Sequence, residues 1–291
     1  MKETRPRSFY VLSCVFALFL LFLYGPMISI LVLSFQGPEG GLVFPMNGVS
    51  LHWFEKLREG GGQVEIGPAL RRSFRLALVV MVLTVTFSVL AGLAFRRGFR
   101  GATLLLYVAI ASLIVPSIVV SLGIALEFRL IDEGIKALGA AWGIEWIQRD
   151  FVSALGPFTS GLGAHLTWTL PFGLLIMFAV FNRFDPAYEE AARDLGATPW
   201  QTFRHVTLPM IAPFLIGVAV FGFTLSWDEL ARSSQVMGAD NTLPMQLAAK
   251  TTTVTDPEIY ALGTATTGSS ILLVLVTFTV ATLLQRRRQR G

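Results

Sequence analysis

The chain has 291 residues, 53% hydrophobic and 14% charged, whereas soluble domains carry about 25% charged residues. With a mean hydropathy of +0.63 this composition excludes an ordinary soluble domain. The formal charge of +4 comes without a basic patch interleaved with aromatics, which argues against nucleic-acid binding, and the lone Cys14 excludes a disulfide framework or a thiolate metal site.

Six windows contain no Asp, Glu, Lys or Arg: Ser8–Gly37, Leu76–Phe95, Gly101–Leu126, Phe151–Asn182, Val206–Trp227 and Ile259–Gln285. A membrane-crossing helix needs about 20 mostly apolar residues, and in lipid the backbone must satisfy its own hydrogen bonds. The expected fold is therefore an all-α membrane protein. A short N-terminal segment, 1–8, precedes one transmembrane domain over 9–291, with six spans near 9–35, 72–95, 102–127, 161–182, 209–230 and 261–285.

The first apolar run, Phe9 to Phe35, exceeds the roughly 7–15 residues of a signal-peptide core, so it reads as an anchor. The loop that follows holds Asn47-Gly48, a turn signal, and then Ser50-Leu51-His52-Trp53-Phe54, a short helix capped by Ser50 with Trp53 at the membrane interface. Gly60-Gly61-Gly62 loosens the loop. Arg71, Arg72 and Arg75 then read as headgroup-level anchors ahead of the second span.

The short link Arg96-Arg97…Arg100 is basic without acids. So is the tail Arg286-Arg287-Arg288…Arg290. The positive-inside rule puts these, both termini and the polar loop 185–209 in the cytoplasm. Pro116 interrupts the third span and predicts a kink. Glu127 ends that span, where it either lines a pathway mouth or pairs with Arg129 or Lys136. Residues 129–150 read as an outer loop along the membrane face, with Trp142 and Trp146 four apart.

The longest polar interruption on the cytoplasmic side is DPAYEEAARDLGATPWQTFRHVTLP, Asp185 to Pro209. Asp185 caps a helix whose first residue is Pro186. Tyr188, Ala191, Ala192 and Leu195 make one apolar face, and Glu189 stands four before Arg193. Gly196 ends this helix; Thr198-Pro199-Trp200-Gln201 is a capping-box start for a second, and Leu208-Pro209 closes it.

Within that stretch, Glu190-Ala191-Ala192, Gly196, Val206 and Leu208-Pro209 resemble the EAA motif of ABC importer permeases, with Val206 where isoleucine is common. The resemblance implies the type I importer (MetI-like) permease fold. It implies that these residues form coupling helices over 185–208, seated on a partner ATPase dimer that binds ATP and Mg. Segments such as Gly48-Val49-Ser50-Leu51-His52-Trp53-Phe54, Asn241-Thr242-Leu243-Pro244 and Asp256-Pro257-Glu258 are similar to the second permease of spermidine/putrescine systems. That branch implies a homologous second permease, a heterodimer, a periplasmic binding protein and the bacterial inner membrane. It also implies polyamine cargo; related systems carry opines, phosphonates, thiamine, ferric iron or amino-acid derivatives.

The fifth span ends Phe223-Thr224-Leu225-Ser226-Trp227-Asp228-Glu229, then Arg232. Acids at a membrane helix end are costly unless paired or used. Asp228 and Arg232, four apart, are expected to neutralise each other. Glu229 then either faces a cavity and holds an ammonium, with Trp227 and Phe223 beside it, or forms a salt bridge at the outer interface. The chain has no Walker A loop, metal-site motif or nucleophile elbow, so no catalytic, cofactor or metal site is expected in it. An intramembrane protease requires a Ser-His pair, for which only Ser153 or Ser160 with His165 is near; a secondary transporter predicts inverted repeats or several mid-membrane charges, which are not seen.

Overall fold

The computed structural model describes residues 6–59, 66–253 and 256–288. Gly60–Gly62, most of segment 1–8 and the last residues of the basic tail therefore lie outside the described residues. The helices are α1 (Arg7–Leu33), α2 (His52–Glu59), α3 (Ile66–Arg96), α4 (Ala102–Ala111), α5 (Ser117–Trp142), α6 (Glu145–Arg149) and α7 (Ser160–Asn182). They continue as α8 (Ala187–Asp194), α9 (Pro199–Thr202), a π-helical turn (Phe203–Thr207), α10 (Leu208–Trp227), α11 (Ser233–Val236), α12 (Leu243–Thr253) and α13 (Glu258–Arg288).

Five of these stretches are long and apolar enough to cross a membrane: Arg7–Leu33, Ile66–Arg96, Ser160–Asn182, Pro199–Trp227 and Glu258–Val276. The third expected span, 102–127, is not one helix. It stops at Ala111 and restarts at Ser117, directly after Pro116. Proline offers no N–H and disfavours a helical residue before it, so the expected kink is a full break. Nor is 129–150 a surface loop, because α5 runs through its charges to Trp142, and Gly143 in the left-handed region ends it.

Contacts divide the chain into two units. One takes in the described residues before 65 together with 247–280, and the other 66–246 and those after 280. In the first, Gln36 bridges antiparallel to Val49, and its buried amide accepts from the Asn47 N–H at 2.7 Å. Ser50 accepts from the His52 N–H, as its capping role predicts. Trp53 is buried. Lys56 pairs with Asp256 at 3.0 Å and Glu258 at 3.4 Å, and Glu258 also receives the buried Lys250.

The second unit is organised by α3, α7 and α10, which pack on one another. The α7 stripe Gly161, His165, Thr169, Gly173, Met177, Phe181 repeats every four residues and is buried throughout. Small residues let membrane helices approach closely. A Cβ at Gly173 would collide with Ser88 on α3, and Thr84 Oγ1 bonds Thr169 Oγ1 across the same seam at 2.7 Å. Two apolar clusters fill this core: Leu76, Val80, Ala164 and Met237 in one, Val89, Met177, Ile211 and Val218 in the other.

Candidate functional site

The stretch from Asp185 to Pro209 folds as a cornered helix pair. Asp185 Oδ1 accepts from the Ala187 N–H at 2.9 Å, and α8 starts there, one residue later than expected. Gly196 has φ +85°, the left-handed region. Its N–H bonds the Arg193 carbonyl while the Ala197 N–H bonds the Ala192 carbonyl, which closes the helix with a Schellman motif. The capping box forms as expected: the Thr198 N–H reaches Gln201 Oε1 at 2.8 Å and the Gln201 N–H reaches Thr198 Oγ1 at 3.3 Å. Leu208-Pro209 does not close the second helix. Instead α9 runs through the π turn into α10 without a break, over Pro199–Trp227. A local π turn is one way for a helix to carry a proline, which lacks the donor its ladder needs.

The apolar face of this pair is uncovered. Tyr188 is 54% exposed, Leu195 90% and Trp200 65%, with Glu190 and Ala191 also in the open. Ala192 and Val206 are half-buried, and Leu208 packs against the Val89–Met177–Ile211 cluster.

Glu189 does not pair with Arg193, whose Nε bonds the Glu189 backbone carbonyl instead. The Glu189 carboxylate turns inward. Arg96 at the end of α3 donates to both its oxygens, at 2.8 and 3.0 Å, and Thr207 in the π turn donates at 2.6 Å. The Arg96 guanidinium also lies over the rings of Phe184 and Phe181, at 4.8 and 5.6 Å. The Arg96 hydrogen bonds, against the opposing effect of burial and with help from Thr207, hold the Glu189 carboxyl below its ordinary range. One residue of α8 is thus clasped to both α3 and the entry of α10. Beside the clasp lies a cavity of about 870 Å³, walled by the ends of α3 and α7 and by the 186–207 stretch.

The acids near the end of α10 form a different constellation from the expected one. Arg232 is fully buried, with its Nη1 3.6 Å from Glu229 and 2.8 Å from Ser117 Oγ, and its guanidinium 4.5 Å from the centre of the Trp168 ring. The Arg232 N–H also donates to Glu229 Oε1 at 2.9 Å. So Glu229, not Asp228, neutralises Arg232. The four-residue rule fails because α10 ends at Trp227, leaving Asp228 at its cap and solvent-exposed. Phe223 and Trp227 stack on each other at 5.8 Å, with Phe74 against Phe223. Glu127 is exposed and makes no ion pair among the described residues. His165 bonds Ser226 at 2.7 Å and Ser233 at 3.0 Å, while Ser153 donates to Asp132 and Ser160 to the Val236 carbonyl. Neither serine weighed as a nucleophile is paired with His165.

Residues 71–290 match the family model described as "Binding-protein-dependent transport system inner membrane component". The chain belongs to this family. The permease is 30% identical over 271 residues to the putrescine transport system permease protein PotI of Escherichia coli K12, covering 92% of this chain and 90% of the relative. It is 27% identical over 266 residues to the spermidine/putrescine transport system permease protein PotC of the same organism, covering 89% of each. In fold it resembles a chain of a bacterial alginate ABC transporter in complex with an alginate pentasaccharide-bound periplasmic protein. That likeness has a TM-score of 0.61 and 18% identity, over 96% of this chain and 93% of the other.

Sequence reasoning missed Arg96 and Thr207 as parts of the site. Arg96 read only as a cytoplasmic anchor, and nothing in its neighbourhood signals a partner 93 residues away. It also missed the Arg232 cluster, although a buried arginine needs a carboxylate and a ring face as surely as an exposed one does not. In that cluster Arg232 Nε and Nη2 have no hydrogen-bond partner. Removing the carboxylate therefore strands a buried cation: Glu229→Gln is expected to destabilise the permease by about 3 kcal/mol. Adding Arg232→Met should recover most of the loss. Thermal melts of the purified single and double variants check both; equal melting of Glu229→Gln and wild type would remove the ion pair's structural role.

Proposed function

We propose that the permease is one of two homologous membrane subunits of an ATP-driven importer, that an ATPase dimer seats against Asp185–Pro209, and that the cargo is a polyamine-like cation delivered by a periplasmic binding protein. ATP and Mg belong to the ATPase. Both termini lie in the cytoplasm, as the basic, acid-free segments Arg96–Arg100 and Arg286–Arg290 favour.

The observation that carries this reading is the pairing of an uncovered apolar face with a rigid connection to the core. A contiguous apolar patch on an otherwise polar segment marks an interaction surface. Tyr188, Leu195 and Trp200 supply the patch. A push on that patch needs a stiff lever, and the Schellman corner, capping box and Arg96–Glu189–Thr207 clasp supply one. The force reaches α3 directly and α10 through the unbroken α9–π–α10 helix. Glu190, Ala191, Ala192, Gly196 and Val206 form the docking surface, and Leu208-Pro209 the root of the lever.

The cargo assignment is supported by the two polyamine permeases to which the chain is similar. Glu229 already holds a resident cation in Arg232, so the acids open to an ammonium group are Asp228 and Glu127. Trp227, stacked on Phe223, directly precedes Asp228 in the chain. The test is uptake by proteoliposomes containing both permeases and the ATPase, supplied with the binding protein and labelled putrescine, spermidine or a competing opine or phosphonate. ATP-dependent accumulation of the polyamines alone is expected. Accumulation of a different solute class would refute the cargo assignment and leave the coupling assignment standing. No ATP dependence for any solute would refute both.

A further inference from the structure

The connection from α1 to α2 is irregular in backbone but tied down at its base. The Gln36 side chain is fully buried; its Nε2 donates to the Gly41 carbonyl at 3.0 Å and its Oε1 accepts from the Asn47 N–H at 2.7 Å. The Ser50 N–H donates to the Phe35 carbonyl at 2.8 Å, which closes the two arms on each other. They approach so closely that a Cβ at Gly37 would collide with the Asn47 carbonyl. The Tyr260 hydroxyl, in the first turn of α13, donates to the Leu42 carbonyl at 2.8 Å. What this frame holds out is apolar. Val43 is 71% exposed, Phe44 beside it is exposed, and Val49 on the returning arm is 81% exposed. No Asp, Glu, Lys or Arg occurs from Gly40 to Phe54. An uncharged apolar tip on a fixed frame marks an interaction surface.

The level of this tip follows from α1 and α13. The two helices meet at Ile30, whose Cγ2 lies 3.6 Å from where a Cβ at Gly263 would stand. A helix rises about 32 Å from Phe9 to Ile30, close to the roughly 30 Å of a bilayer's hydrocarbon. Ile30 and Gly263 therefore mark the hydrocarbon boundary opposite Arg7. Tyr260 is one turn further out, about 5 Å, and so stands in a headgroup layer about 5–8 Å deep. Its bond to Leu42 fixes the tip at that level. The Val43 and Phe44 N–H groups make no hydrogen bond among the described residues, so the tip needs the acceptors and water of the headgroups and stays out of the hydrocarbon. We propose that residues 42–45 are an interfacial anchor, with Val43 and Phe44 inserted among the headgroups of the outer leaflet. The exposed apolar surface of α1 continues up to Val32, so the lipid that covers α1 reaches the foot of the loop. The same helix gives the anchor its purpose. Its 27 residues span about 40 Å, and almost none of its surface is buried by the rest of the chain. The depth and tilt of such a helix are set by anchors at its ends. Arg7 serves the cytoplasmic end. No Lys, Arg, Trp or Tyr stands between Ile28 and Pro38 to serve the other, and the tip does so instead.

The test uses the full-length permease with its partner subunits in nanodiscs. Its lone cysteine is removed as Cys14→Ser, and a bimane fluorophore is placed on Phe44→Cys or, as the aqueous reference, on the exposed Glu39→Cys. The Phe44 label is expected to lose most of its emission to phosphatidylcholine carrying a nitroxide near the headgroup, and much less to the same lipid with the nitroxide at the chain end. The Glu39 label is expected to be quenched by aqueous iodide instead. Val43→Asp should move the Phe44 label from lipid quenching to iodide quenching, and Val43→Leu should leave it in the lipid; Val43 is exposed, so neither change disturbs the frame. Equal iodide quenching at Phe44 and Glu39 overturns the proposal. So does a Phe44 label that is shielded from iodide only when the loaded binding protein is added, which assigns the tip to that protein. The inference rests on the proposed function only for its leaflet. An impermeant maleimide applied to spheroplasts is expected to label Glu39→Cys from outside. Failure to label, with lipid quenching at Phe44 intact, refutes the assigned topology and keeps the anchor; labelling without lipid quenching refutes the anchor alone.

Discussion

Gly196→Val is expected to cut ATP-driven uptake by at least about tenfold while membrane levels of the permease stay normal, because the left-handed backbone costs a β-branched residue roughly 1–2 kcal/mol or more at the corner that aims the docking face. The φ of +85° is set by the Schellman closure, in which Gly196 and Ala197 donate back to Arg193 and Ala192. Among the described residues, its two chain neighbours aside, nothing lies within 4 Å of where a Cβ at Gly196 would stand. Two penalties are therefore separable. One is backbone strain within the permease; the other is exclusion by the ATPase surface against which the open corner is proposed to sit. Asparagine tolerates the left-handed region at low cost. If strain alone matters, Gly196→Asn keeps most of the uptake that Gly196→Val loses. If the partner's cleft has no room, both fail alike, and co-purification of the ATPase falls with them. Uptake assays paired with immunoblots of the membrane fraction decide the matter; near-normal uptake in Gly196→Val would remove Gly196 from the coupling role.

What could be read from the sequence here was local. The Asp185 cap, the Gly196 corner and the Thr198–Gln201 box each rest on residues within four positions of one another, and all three formed. What could not be read required partners far along the chain or a helix that stopped early. Glu189 had an apparent partner four residues on in Arg193, yet a half-buried site at the end of α3 offered a bidentate fork and a ring face, which outweighs a solvent-exposed pair. Asp228 and Arg232 had the right spacing for a helix that ends one residue before them. The α7 stripe from Gly161 to Phe181 was hidden for a further reason. A window that is apolar all round has no contrast between its faces, and only size, small against large, distinguishes the packed side. The break at Pro116 was masked by the same uniformity, and the charges between Glu127 and Lys136 disguised the continuation of α5.

Glu189→Ala is the second large expected effect. The carboxylate accepts two hydrogen bonds from Arg96 and one from Thr207, and both ion-pair side chains are less than 20% exposed. Truncation leaves the Arg96 charge without a counter-ion, at a cost of about 3 kcal/mol. Because it also frees α8 from α3 and α10, ATPase stimulation by the loaded binding protein should fall by about tenfold. Stability and force transmission can be told apart with the double variant Arg96→Met/Glu189→Met, since replacing a buried pair by apolar residues is often neutral for stability. Its melting temperature is expected to return toward wild type while stimulation stays low. Recovery of both would make the clasp a packing feature and not a lever joint. The pH dependence has a definite sign. The folded carboxyl is held below its ordinary value of 4.5. Its contribution is therefore complete above that value and is lost as pH falls through the depressed folded value. Melting temperature should stay level, as far as this group is concerned, from neutral pH down to about 5 and then drop on further acidification. In Glu189→Ala that acid-side drop should shrink, and an unchanged profile would mean that some other carboxylate governs it.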